Sequence, residues 1–473
     1  MKETRPWLVL AICCTSIFLV GMDTTVVNIA LPSIAGDLGL DTGRLQWVVD
    51  AYTLVLASLL ITSGALADKL GRRRVFRFGL VLFAIGSAAC ALAPGAGTLV
   101  AARVIQGVGG SMLSPVALAI VVSAITDARR RAQAIGVWAA VFGLSMAAGP
   151  VLGGVLTGGP GWRTVFWANL PIIAVVLVLT AFFVPESRSP RARSLDVPGQ
   201  LLLIAMVGGT VAALIEGPVF WWVAGLATVL FISVESARAE PLMDLSLFRR
   251  PAFVAAVGSA VLMFVALSVT LLLGSLYLQL ARGMSPLAAG LTTLPMAVAA
   301  TVLAPYSGYL TGRVGPRFPL RLAGIFTFAG GLILIGLSDR TGVPVLLLAH
   351  LLLGVGVGFA NAPITNTAVS GLPPSRSGVA GGIASTSRQV GTALGVALGG
   401  AFIGTAAPAG VALGDAGPAA LAEATRPGWV LVAGCGLVVA LAARAAPAMD
   451  RKPPRDRHRP PVPPGVMIAE TAA

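Results

Sequence analysis

"GALADKLGRRR", Gly64 to Arg74, closes one apolar run and opens the next, and it has an echo 244 residues on in "GYLTGRVGPRF", Gly308 to Phe318. Gly64, Leu66, Gly71 and Arg73 match Gly308, Leu310, Gly315 and Arg317, whereas Gly312 stands where Asp68 does. "RVIQGVGG" from Arg103 matches "HLLLGVGVG" from His350 at an offset of 247, and Gly136, Gly149, Gly153 and Gly154 match Gly382, Gly395, Gly399 and Gly400 at 246. Near-constant offsets through charged loop residues as well as glycines point to duplication of one unit.

That unit is built of membrane spans. The chain has 473 residues, 56% hydrophobic and 11% charged, with a mean hydropathy of +0.89, which marks a polytopic membrane protein. Trp7 to Pro32 is too long for the apolar region of a signal peptide and is read as the first span. Fourteen apolar runs follow one another: 7–31, 46–66, 76–94, 98–124, 133–157, 164–184, 198–215, 219–236, 252–278, 287–311, 320–338, 343–369, 378–404 and 427–446. With the N-terminus in the cytoplasm, 27 of the 33 Lys and Arg fall on the cytoplasmic side, five outside, and Arg103 within a span. This asymmetry puts both termini inside and makes the net charge of +14 a matter of topology, not of nucleic acid.

The expected architecture is therefore an all-α membrane protein of 14 transmembrane helices. Residues 1–196 form an N-terminal six-helix half, 197–250 two inserted helices, 251–446 a C-terminal six-helix half, and 447–473 a disordered cytoplasmic tail. The small-residue stretch between the last two spans is a long outer loop. Two such halves place a substrate site at their interface near the midplane. Cys13, Cys14, Cys90 and Cys435 have no metal-ligand or disulfide spacing and no phosphate-binding loop occurs, so neither metal, cofactor nor enzyme chemistry is expected. The excess of Arg over Lys and the abundance of Ala and Gly suggest a bacterial source.

Polar residues inside the spans carry the chemistry. Asp23, in "FLVGMDTTVVNIALP", lies past the middle of the first span and Asp50 within the second, and antiparallel helices bring them to similar depth. Burial disfavours a carboxylate's charge and a neighbouring cation favours it, so such an acid can exchange protons between two sides. Asn28, five residues from Asp23, points away from its face. Arg103, Gln106, Gly107, Gly110 and Ser114 make one stripe on the fourth span, facing protein, with Arg103 as the permanent cation that biases a carboxylate. His350 takes the place of Arg103 in the repeat. Glu216 is interfacial. Asn361, Thr365 and Asn366 around Pro363, together with Gln106, offer hydrogen bonds to a substrate in an otherwise apolar cavity. No acid stands at midplane depth between the fifth and thirteenth spans, which points to monocations, neutral compounds or other shapes as cargo.

In "GALADKLGRRR", Gly64 allows close helix approach, Asp68 pairs or caps, and Gly71 with Arg72, Arg73 and Arg74 anchors the loop, making a gate latch. On the fifth span Gly143, Gly149, Pro150, Gly153 and Gly154 lack bulk and Pro150 bends the helix, allowing close packing across the halves. The first motif resembles the loop signature of the major facilitator superfamily, and "LVAARVIQGVGGS" resembles its fourth-helix motif. "GLSMAAGPVLGG" is similar to the antiporter motif, while "MDTTVVNIALP", "WVVDAYTLVLA", "WRTVFWANLP" and "TSRQVGTALGVAL" are similar to the fourteen-helix drug/proton antiporter branch. The resemblance implies the major facilitator fold and a monomeric, multi-pass protein of the bacterial inner membrane, exporting hydrophobic or amphipathic drugs in exchange for protons. The same fold also serves proton-coupled importers and exporters of single metabolites.

Overall fold

The computed structural model describes residues 6–125, 127–188, 196–238, 241–370, 372, 374–404 and 417–447, and no strand occurs among them. In hydrocarbon every backbone group must bond within its own segment, so apolar runs of this length close as helices. The first set is α1 (Pro6–Leu38), α2 (Thr42–Leu70), α3 (Arg72–Ala91), α4 (Ala96–Ala124), α5 (Ala128–Gly158), α6 (Arg163–Trp167) and α7 (Asn169–Phe183). Next come α8 (Val197–Ile215) and α9 (Phe220–Ala237). The last set is α10 (Pro251–Leu276), α11 (Pro286–Val314), α12 (Arg317–Ile335), α13 (Val343–Val369), α14 (Pro374–Ile403) and α15 (Pro418–Ala442).

Polar caps punctuate the apolar runs. Asp41, Asp127, Asp196 and Ser285 each accept a hydrogen bond from the backbone amide three residues on, at 2.8, 2.8, 2.9 and 3.2 Å, starting α2, α5, α8 and α11. Gly71 and Gly315, matched in the sequence repeat, both hold positive φ, 111° and 81°, and break the chain between consecutive helices. Three expected boundaries change most, and one of them is the start of the last helix, at Pro418 and not at 427. The first span was expected to end at residue 31, but Pro32 lies inside α1, which runs on to Leu38. The sixth span is broken at Ala168 into α6 and α7.

Twelve helices among the described residues are long and apolar enough to cross a membrane. They include α8 and α9, the two helices expected between the halves, and α6 with α7 count as one. Outside that set, α5 and α14 are helices of 31 and 30 residues. Of the expected outer loop, 404–428, residues 405–416 lie outside the described residues, and the part from Pro418 on is not loop but the start of α15. The tail from residue 448 also lies outside them.

Packing repeats as the sequence does. α1 packs on α5, α2 on α4, and α3 on α4 and α7; in the second set α10 packs on α14, α11 on α13, and α12 on α13 and α15. The sets meet through a symmetric pair of contacts, α5 with α11 and α14 with α2, and α8 lies against α2 and α14. α1 of the first set also meets α10 of the second. There Ser275 Oγ donates to the Asn28 carbonyl at 2.7 Å and Gln279 Nε2 to the Ile29 carbonyl at 2.9 Å.

Candidate functional site

Asp23 and Arg103 meet inside the first helix set. Arg103 Nη1 donates to Asp23 Oδ2 at 2.6 Å, and both side chains are sealed from solvent. Gln106, one turn from Arg103 on α4, donates through Nε2 to Asp23 Oδ1 at 2.8 Å and to Ser87 Oγ at 3.0 Å, while its Oε1 accepts from Arg103 Nη1 at 2.7 Å. Asn169, at the start of α7, donates to Asp23 Oδ1 at 3.4 Å and to Ser87 Oγ at 3.3 Å. Arg103 Nε donates to the Val48 carbonyl of α2 at 2.9 Å, and its guanidinium carbon lies 4.2 Å from the Tyr52 ring centroid, in cation–π range. Four elements, α1, α2, α4 and α7, thus converge on one ion pair, with Ser87 of α3 as a fifth point of support.

Glycines make this convergence sterically possible. A Cβ on Gly86 would fall 2.6 Å from the Gln106 nitrogen, and one on Gly107 would fall 2.9 Å from the Tyr52 carbonyl. The backbones of α3, α4 and α2 can therefore approach closely enough to hold the side chains in place. Gln106 was expected on the cavity wall; it is fully buried in the Asp23 network instead.

Asp50 is buried but stands apart from that network. Its Oδ1 accepts from Thr53 Oγ1 at 3.4 Å and its Oδ2 has no hydrogen-bond partner. It lies one turn from Gln46, whose side chain fills the place of a Cβ on Gly400 of α14, so this face of α2 looks toward the second helix set. His350 is buried with Nδ1 2.8 Å from the Leu346 carbonyl and, among the described residues, no partner on Nε2 and no ion pair in the place of Asp23–Arg103. Glu216 accepts from Trp47 Nε1 at 2.7 Å at the end of α8.

The loop motif is tied within its own set. Arg72 donates to Asp68 Oδ1 through Nη2 at 2.8 Å and Nε at 3.1 Å, and its Nη1 reaches the Ala119 carbonyl of α4 at 3.4 Å. Asp68 thus pairs along its own chain. The Arg73 amide donates to Glu186 Oε1 at 3.0 Å, and a Cβ on Gly71 would fall 2.7 Å from that oxygen. Arg73 Nη1 donates to the Val184 carbonyl at 3.2 Å, beyond α7, and Arg317, its repeat counterpart, donates to the Ala446 carbonyl at 3.1 Å, beyond α15. Matched arginines fasten the matched loops to the last helix of each set. Gly64 has only Pro115 near its missing side chain, at 4.0 Å.

The glycines of α5 divide between two neighbours. Gly149 and Gly153 face α1, where a Cβ would overlap Thr25 Oγ1 or fall 3.0 Å from the Val26 carbonyl. Pro150 and Gly154 face α11: the Pro150 carbonyl fills the place of a Cβ on Gly290, and a Cβ on Gly154 would fall 2.7 Å from Leu287 Cα. Only the second pair joins the two helix sets. The surroundings of Gly143 lie outside the described residues.

Between the sets lies a cavity lined by Thr24, Asn28, Ser268, Gln389 and Thr392 among apolar residues of α1, α2, α10 and α14. Asn28, set aside in the sequence because it points away from Asp23, faces this cavity for that reason. Asn361 is half-buried on α13, Thr365 accepts from Arg388 Nη1 at 3.4 Å, and the Asn366 carbonyl accepts from Ser370 Oγ at 2.7 Å. The charge count placed Arg388 with the cytoplasmic cations; it lies fourteen residues into α14. Its position in the run 378–404 was the available signal. Among the described residues no group of His, Cys, Asp and Glu could hold a metal ion.

Residues 13–396 match the model of the Major Facilitator Superfamily. The chain belongs to this superfamily. This major facilitator is 39% identical over 392 residues to the multidrug resistance protein Stp of Mycobacterium tuberculosis, covering 81% of this chain and 73% of that one. It is 35% identical over 434 residues to the tetracenomycin C resistance and export protein of Streptomyces glaucescens, covering 89% and 79%. In fold it is similar to the crystal structure of the nucleoside transporter NupG, with a TM-score of 0.68 over 93% of this chain and 99% of that one, at 13% identity. It is a multi-pass protein of the bacterial inner membrane.

Proposed function

We propose that this major facilitator is a proton-coupled antiporter that exports hydrophobic or amphipathic drugs, works as a monomer, and carries the proton on Asp23. The observation that supports this most is the Asp23–Arg103 pair, shut away from the cavity and from both ends of the bundle. A buried ion pair with neutral donors on every side contributes little stability over an apolar pair of the same volume. Its use is in having two states: Asp23 bound to Arg103, or protonated and released from it. The relatives support the cargo, since one is named for multidrug resistance and another for resistance to and export of tetracenomycin C.

In this reading protonation of Asp23 loosens the contacts that hold α1 to α4 and α7, and α1 also lines the cavity through Thr24 and Asn28. Proton and drug thus act on different faces of one helix. Asp50, on the face of α2 toward α14, is the second acid of the cycle, exposed when the sets part. The glycine contacts of α5 with α11 join the two sets, and the Asp68–Arg72 pair fastens the loop within its own set so that the set moves as a unit.

The count of fourteen spans belongs to the same reading, with α5 and α14 crossing the membrane beside the twelve, and both termini in the cytoplasm. Residues 1–196 and 251–446 are then the two halves and 197–250 the inserted pair. Direction is tested with everted vesicles: inward acidification should drive accumulation of a fluorescent drug. Uptake into right-side-out vesicles under the same gradient would favour an importer.

A further inference from the structure

Arg388 differs from Arg103 in lacking a carboxylate. None of the ion pairs among the described residues includes it. Its Nη2 donates to Ser385 Oγ at 2.6 Å and its Nη1 to Thr365 Oγ1 at 3.4 Å, both neutral hydroxyls. Asp23 is taken by Arg103, and Asp50 accepts from Thr53. A guanidinium has five donors and stays charged, and among the described residues it meets only these two hydroxyls and no carboxylate.

Its depth rules out the usual relief. Fourteen residues into a 30-residue helix is about 21 Å along the axis at 1.5 Å per residue, close to the middle of α14. In the fourteen-span reading that position stands away from headgroup phosphates at either surface, and its guanidinium is half-buried beside the exposed Thr365, four residues from the end of α13, where a solute entering between the helix sets can meet it. Its helix face adjoins the cavity: Arg388 and Gln389 stand three and four residues after Ser385, and Gln389, its neighbour in the chain, lines the space between the helix sets with Thr392 and Val396. Thr24 and Asn28 stand across that space on α1.

We propose that Arg388 is the anion-recognising residue of the cavity, and that the substrate class is amphipathic molecules bearing a carboxylate or ionised phenol. Such a group supplies the missing countercharge and takes two parallel hydrogen bonds from the guanidinium, while the apolar lining from α10 and α14 covers the rest of the molecule. The cavity that the sequence suggested for monocations or neutral compounds would then repel a cation at its centre. This assignment rests on the transporter reading for its purpose, but the binding it predicts can be measured without transport.

Two xanthene dyes of similar shape separate the alternatives: fluorescein, anionic at neutral pH, and rhodamine 6G, cationic. Fluorescence anisotropy with the purified full-length protein should show tighter binding of fluorescein. Arg388→Gln should weaken fluorescein by about tenfold to a hundredfold and leave rhodamine 6G unchanged or stronger. Arg388→Lys, which keeps the charge and the fold but not the planar fork, should fall between. Equal fluorescein affinity in wild type and Arg388→Gln overturns the proposal, as does a wild type that prefers rhodamine 6G or binds neither dye. Dye efflux from cells is the separate arm. Efflux of rhodamine 6G together with Arg388-independent binding of fluorescein would keep the transporter and remove the anion site. Arg388-dependent binding of fluorescein without any efflux would do the reverse.

Discussion

Arg103 Nη1 lies 2.6 Å from Asp23 Oδ2 with the two side chains 1% and 0% exposed, while Gln106 ties both residues to each other through its own amide. The three side chains form a closed triangle, so removing either charge leaves the other buried. Asp23→Asn and Arg103→Gln should each lower the thermal unfolding temperature of the purified protein. The double variant should lose less than the sum, by an interaction of about 1–3 kcal/mol. Additive losses would mean that the pair is not coupled in the folded protein.

Gly154 and Gly158 sit one turn apart on α5 and predict opposite outcomes. A Cβ on Gly154 would press on Leu287 of α11, whereas one on Gly158 would meet nothing within 4 Å. Gly154→Ala should cost about 1–3 kcal/mol through overpacking and reduce transport, because the contact it pushes apart joins the two helix sets. Gly158→Ala should be neutral or slightly stabilising. Thermal unfolding and dye efflux of the two variants, side by side, check both.

Gly71 holds a φ of 111° with Glu186 occupying the space of a side chain. Gly71→Ala should therefore destabilise by about 1–3 kcal/mol, from backbone strain and from displacement of the carboxylate that caps Arg73. Gly312→Ala, at the position matching Asp68 and with nothing near its Cβ, should be tolerated. Comparable unfolding temperatures for the two variants would contradict this.

Asp196 starts α8 and also bonds Arg238 at 2.9 Å and the Leu242 amide at 3.3 Å. Burial pushes its carboxyl up, but the Gly199 amide, a hydrogen bond with Glu235, Arg238 and the Leu242 amide together hold it below the ordinary carboxylate range. A depressed folded-state value stabilises above the unfolded value and loses that stabilisation as pH falls through the folded one. Asp196→Asn should accordingly unfold at a lower temperature than wild type near neutral pH, with the gap narrowing as the medium is acidified below the ordinary carboxylate range. A constant gap would assign the effect to geometry alone.

Much of this arrangement was legible in the sequence because membrane spans and duplications leave long-range signals. Gly71 and Gly315, matched in the repeat, both hold positive φ, and Arg73 and Arg317, matched likewise, make equivalent loop fastenings, so the duplication was legible although the conformation and the partners were not. Asp23 with Arg103 was legible because both are costly in hydrocarbon and need a partner. Helix rotation was harder to read. Whether Gln106 turns to the cavity or to Asp23, and whether Asn28 matters, depends on which neighbour each face meets, and the periodicity of one helix does not contain that. Arg388 was lost for a different reason: a count of charges by side assigns a residue before its depth is known.

The account's central claim is that Asp23 carries the proton whose movement is exchanged for drug. Its most direct test is drug-induced proton movement in proteoliposomes, comparing wild type with Asp23→Asn after confirming that both bind the drug. Wild type should show a pH change on drug addition and Asp23→Asn none. Undiminished proton movement in Asp23→Asn would contradict the account.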